Sequence, residues 1–185
     1  MRGEYSLMAD SIQLNLPDLA LGLPAITPAF GAALAEAGAI CLSSQGHSQG
    51  VRLQLVGDWT NTCKLYWQPV TPQMLRCWND RDYATEQAAY AVALLLMKQV
   101  KGFTVVERSR RGTGFDYWLG HQATDELLLQ KLVRLEVSGI RQGTLPQVKA
   151  RVKLKTEQLK SSAQPLPAYV VVVEFSQPLT WVKQR

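Results

Sequence analysis

The sequence lacks an apolar run long and unbroken enough to span a bilayer. Its most apolar stretch, residues 19–42, is interrupted by Pro24, Pro28 and Glu36, whereas a spanning helix needs about 20 consecutive apolar residues. A basic start followed by a continuous apolar segment is missing as well. A secretory leader and a membrane partner are therefore not expected, and a cytoplasmic protein is. Cysteine is scarce: Cys41, Cys63 and Cys77 are the three present, without CxxC spacing. That argues against a disulfide framework and a thiolate zinc site, and leaves buried free thiols as the reading. The two histidines, His47 and His121, fall in loop-like stretches with no nucleophile motif nearby, so neither enters a site. Charge of one sign is not pronounced either. A formal net charge of +5 permits an anionic partner without requiring one.

What is present suits one globular unit. With 185 residues, 46% of them hydrophobic, the chain can bury a single sizeable core. No repeat or low-complexity segment interrupts it. Residues 1–80 read as an N-terminal helix and hairpin elaboration, and residues 81–185 as the core, the two forming one compact unit.

Hydrophobic patterning supplies the elements. Pro28 opens an alanine-rich helix over 29–40, with Gly38 weakening its end. Residues 51–56 and 64–68 alternate apolar and polar around a turn-rich 57–62, which predicts a hairpin. Asp82 is a candidate N-cap for a helix whose 88–97 segment is apolar on most sides, and Gly102 ends it. Strands are expected over 103–108, 114–119 and 131–137, then an amphipathic helix from Pro146 to about 161. A loop over 161–167 precedes a β-branched run at 168–175 typical of a central strand. From Asp82 onward the order is α-β-β-β-α-β.

Two carboxylates stand out because they interrupt apolar strand candidates: Asp116 in Gly114-Phe-Asp-Tyr-Trp-Leu119 and Glu136 in Leu132-Val-Arg-Leu-Glu-Val137. Burying a carboxylate is costly unless it is paired or binds a cation, and two of them on neighbouring strands repel. An acidic site for a divalent metal is one reading; an ion pair with Arg134 or a nearby lysine is the other. On the second helix, Val148, Val152, Lys155 and Leu159 recur at one helical face, which turns Lys155 inward, and Gln158 lies on nearly the same face. A snorkelling lysine would have the same spacing. Arg108, Arg110 and Arg111 precede Gly112-Thr-Gly114, a turn suited to phosphate contact or simply to solvent.

These features resemble the PD-(D/E)XK (restriction-endonuclease-like) nuclease superfamily over roughly residues 82–175. Its core has the same α-β-β-β-α-β order, with an aspartate on the second strand and a (D/E)XK tripeptide on the third. Asp116 matches the aspartate, Glu136-Val137-Ser138 the tripeptide, and Glu86 an acidic residue often found on the first helix. Ser138 stands where the family has lysine, and Lys155 is the candidate replacement, since the family sometimes moves this lysine to another element.

The resemblance implies an α/β fold with a central mixed four-stranded sheet flanked by helices, to which the N-terminal helix and hairpin are added. It further implies a metal-dependent phosphodiesterase acting on DNA or RNA. Asp116 and Glu136, with the Val137 carbonyl, would hold Mg²⁺ or Mn²⁺; Glu86 and Lys155 would complete the catalytic set; Arg110, Arg111, Ser138 and Gln158 would meet substrate. A homodimer is common in this fold. The alternatives left open are a catalytically inactive relative that binds nucleic acid, and an interaction protein that docks a partner through residues 1–80.

Overall fold

The computed structural model describes residues 12–121, 129–160 and 166–185. The protein is an α/β structure around one mixed eight-stranded sheet. In chain order the elements are β1 (Ile12–Asn15), a 3₁₀ turn (Leu16–Leu21), α1 (Pro28–Ser44), β2 (Val51–Gly57), β3 (Asn61–Tyr66) and α2 (Pro72–Cys77). There follow α3 (Arg81–Lys101), β4 (Phe103–Arg108), β5 (Tyr117–His121), β6 (Val133–Ile140), α4 (Leu145–Lys160), β7 (Ala168–Glu174) and β8 (Leu179–Gln184). The strand order is β1-β3-β2-β8-β7-β6-β5-β4.

The sheet has eight strands where the sequence suggested four. The reason is β8, which pairs antiparallel with β7 on one side and parallel with β2 on the other. It joins the N-terminal hairpin to the same sheet. Strands β6 and β7 run parallel, joined by α4 as the crossover, while β4, β5 and β6 are successively antiparallel.

Each face of the sheet has its own apolar layer. On one face Leu135, Val137, Tyr169, Val171 and Val173 pack under α3, with α1 beside it. On the other, Val170 and Val172 meet Val148, Val152 and Leu159 of α4. β7 is buried along its whole length, which explains why its sequence shows no polar alternation. Its alternate side chains feed both layers, each buried valine contributing about 1.5–3 kcal/mol of apolar transfer.

Element ends differ from the expectations in instructive ways. Asp80, not Asp82, caps α3: its carboxylate accepts the Asp82 and Tyr83 amides at 3.1 and 3.0 Å. α1 continues through Gly38 to Ser44 because the missing side chain is a packing requirement; a Cβ there would lie 2.4 Å from Leu16 Cδ1. β6 runs from Val133 to Ile140 rather than over 131–137, and β5 begins at Tyr117 rather than at residue 114. Residues 109–116 instead form a turn through Gly112 and Gly114, both at positive φ (91° and 81°), where glycine is favoured. Of the expected 161–167 loop, residues 161–165 lie outside the described residues. No helix among the described residues is long and apolar enough to cross a membrane.

Candidate active site

The site lies where β5 and β6 part. Their ladder ends at Tyr117 opposite Leu135, with one further bond from the Asp116 amide to the Leu135 carbonyl at 2.8 Å. β6 continues to Ile140 with β7 as its partner on the other edge. The edge of β6 left by β5 is taken over by a side chain: Asp116 Oδ2 accepts the Val137 amide at 2.8 Å. In a strand a residue's N–H and C=O point to the same side, so the Val137 carbonyl faces the same opening. Asp116 thus sits just before β5, held by backbone bonds on both sides of its α-carbon, the Ser109 amide donating to its carbonyl at 2.8 Å.

Glu136 enters from β6 and is 5% exposed. Lys155, on the α4 face predicted to turn inward, brings Nζ to 2.6 Å from Glu136 Oε1. Burial pushes the Glu136 carboxyl up to about 7, the neighbouring Asp116 charge adds to the rise, and the Lys155 ammonium opposes it. Desolvation and like charge therefore outweigh the ion pair.

From the other side of the sheet comes Tyr90 on α3. Its hydroxyl donates to Asp116 Oδ1 at 2.9 Å and reaches Glu86 Oε1 at 3.2 Å. Burial and the adjacent carboxylates push the phenol far above its ordinary range, so it remains a donor. Tyr117 supports it edge-on at 5.3 Å between ring centroids. Glu86 is thereby tied to Asp116 through one hydroxyl.

Two clefts open on this junction. The first, about 490 Å³, is lined by Glu86, Asp116 and Glu136 together with Arg110, Arg111 and Gln158. Arg108 borders it with its guanidinium over the Phe30 and Tyr117 rings. The second, about 620 Å³, lies beside it past Glu86 and Lys155 and contains Ser138, whose hydroxyl accepts from Arg151 at 2.8 Å.

Every residue singled out in the sequence borders one cleft or the other. Glu136 bonds Lys155 and lies beside Asp116, and Glu86 joins through Tyr90. Arg110, Arg111 and Gln158 line the first cleft; Ser138 lines the second and is buried. Two contributors escaped sequence reasoning, Tyr90 and Arg151. The signal was there: Tyr90 follows Glu86, and Lys155 follows Arg151, by one i, i+4 step on a helix. Trp118 packs edge-on against Phe115 at 4.7 Å and lines neither cleft. His47 bonds the Phe175 carbonyl, and His121 stacks on Phe103.

Neither family models, nor curated proteins, nor solved structures give a match to this chain. What the site can do therefore rests on its own chemistry. Among the described residues no group of three or more His, Cys, Asp or Glu side chains is arranged to hold a metal ion. The oxygen donors at the parting of β5 and β6 are two carboxylates and a strand carbonyl, the hard ligand type that Mg²⁺ and Mn²⁺ take, and Mg²⁺ characteristically uses one or two protein carboxylates with water for the rest. The upward shift of Glu136 comes first from burial and second from the Asp116 charge, and Lys155 already opposes it.

Proposed function

We propose that this protein is a metal-dependent phosphodiesterase acting on DNA or RNA, a divergent relative of the PD-(D/E)XK nucleases. The observation that carries this reading is the meeting of Asp116, Glu136 and Lys155 at one gap in the sheet. The order α3-β4-β5-β6-α4-β7, with β6 parallel to β7, supports it as the arrangement the resemblance implies.

In this reading Asp116, Glu136 and the Val137 carbonyl hold one Mg²⁺ or Mn²⁺. When bound, the ion polarises the scissile phosphate and lowers the pKa of a coordinated water. Tyr90 fixes one Asp116 oxygen and the Val137 amide the other, so the carboxylate is oriented before any ligand arrives. Lys155 exchanges its bond to Glu136 for one to the attacking water or to the phosphoryl oxygens as charge develops there. Arg110 and Arg111 give the phosphate path a positive wall. Purified protein is expected to cut DNA or RNA with Mg²⁺ or Mn²⁺ and to stop with chelator. Asp116→Ala abolishes cutting; cutting that persists in Asp116→Ala would overturn the reading.

One observation favours a second reading, nucleic-acid binding without cleavage. Lys155 already neutralises Glu136, as a cation would, and Ser138 occupies the usual lysine position. Binding insensitive to chelator, with no cutting in any divalent metal, would select it.

A further inference from the structure

The second cleft is lined by three guanidinium groups from three parts of the chain: Arg81 at the start of α3, Arg141 after β6, and Arg151 on α4. The partners of Arg141 and Arg151 are neutral. Arg151 donates to Ser138 Oγ at 2.8 Å, and Arg141 to Ser44 Oγ at 2.6 Å and to Cys41 Sγ at 3.4 Å. Among the described residues none of the three forms an ion pair, although Asp82 and Glu86 also border the cleft. Arg141 Nε is buried without a hydrogen-bond partner. Cations gathered this way repel one another, and an anion with several oxygens, met by planar guanidinium forks, relieves that cost.

The two clefts share Glu86, and Lys155 borders the second while bonding Glu136 of the first. The carboxylates thus lie between two arginine groups: Arg108, Arg110 and Arg111 on one side, Arg81, Arg141 and Arg151 on the other. We infer that the second cleft holds a backbone phosphate of the same substrate strand, on the opposite side of the carboxylates from the first arginine group. The substrate is then a polynucleotide gripped on both sides of the cut and cleaved internally. This rests on the nuclease reading.

The test combines cleavage kinetics with the salt dependence of binding, on labelled single-stranded and duplex oligonucleotides. Each phosphate contact contributes roughly 0.7–0.9 to the slope of log affinity against log salt. Arg81→Ala/Arg151→Ala is expected to lower that slope by about 0.8, the loss of that one phosphate contact, and to raise KM about tenfold with kcat retained. Arg151→Lys, which keeps the charge and loses the fork, should keep the slope and weaken KM less. Arg81→Ala alone, at an exposed position, gives the same reading with half the change in slope if the double variant does not fold. Wild-type protein that cuts internally, with slope and KM unmoved by these substitutions, overturns the inference and leaves the nuclease reading standing. Binding without cutting, with the slope still lowered, overturns the nuclease reading and supports the phosphate site. Wild-type protein that neither binds nor cuts overturns both.

Discussion

Lys155 Nζ and Glu136 Oε1 stand 2.6 Å apart, joining α4 to the strand β6 it covers. Removing the lysine leaves a buried carboxylate beside Asp116 with nothing to oppose its charge. Lys155→Met is expected to lower unfolding stability by about 1–3 kcal/mol, read from urea denaturation, and to lower kcat by about 10²-fold or more. Pairing it with Glu136→Leu should restore most of the stability, because both partners are then apolar, but none of the cleavage. Recovery of both together would mean that the pair is only a structural bridge.

Acidity offers a second check. Folding raises Glu136 from the ordinary value of 4.5 to about 7, so between these limits the folded protein keeps a proton that the unfolded chain has released. Unfolding stability from this group is then greatest below the lower limit and falls as pH rises through the upper one. Urea midpoints measured across that window should decline in the wild type and flatten in Glu136→Gln. Affinity for Mn²⁺ should rise over the same window, since the ion displaces the proton. A wild-type decline identical to that of Glu136→Gln would refute the assignment.

In the proposed reading Tyr90 acts through the Asp116 oxygen it bonds, which makes it a positioning residue. Tyr90→Phe removes the hydroxyl between Asp116 and Glu86 while keeping the ring against Tyr117. We expect metal affinity to fall about 10–100-fold with KM for nucleic acid little changed, measured by metal titration of the cleavage rate. Equal losses in thermal stability and activity with unchanged metal affinity would reduce Tyr90 to a packing residue.

Gly139 tests how closely α3 must approach β6. A Cβ there would lie 2.5 Å from the Thr85 carbonyl oxygen, so the helix backbone has to move. Gly139→Ala is expected to cost about 1–3 kcal/mol and to displace Glu86, the next residue along, reducing cleavage even where the protein stays folded. Unchanged stability and rate would show that the contact has slack.

The sequence revealed those parts of the molecule whose pattern is local. The β-branched run of β7, the apolar body of α3 and the inward face of Lys155 follow from side-chain periodicity, and the structure shows each of them buried or half-buried. Asp116 and Glu136 stood out because carboxylates among bulky apolar neighbours are costly. The eighth strand was not legible, since Leu-Thr-Trp-Val-Lys-Gln gains its meaning from β2 and β7, and register between distant segments leaves no local mark. Nor was the start of β5: glycines in its approach looked like strand punctuation and instead turn the chain so that Asp116 faces β6. Tyr90 and Arg151 sit at regular helical spacings, yet a spacing names a neighbour on the same helix and not the strand across from it.

The placement of β8 between β2 and β7 has a consequence for how the chain is made. Gln54 and Leu179 are partners in one ladder, so the β2 edge of the hairpin, whose β3 edge is already covered by β1, has no strand to pair with until β8 has left the ribosome. Through most of synthesis one hairpin edge and one β7 edge stay open to pairing with other chains. Shortening the protein beyond Glu174 would leave both edges permanently exposed, and the product is expected to collect in the insoluble fraction rather than to survive as a smaller folded unit.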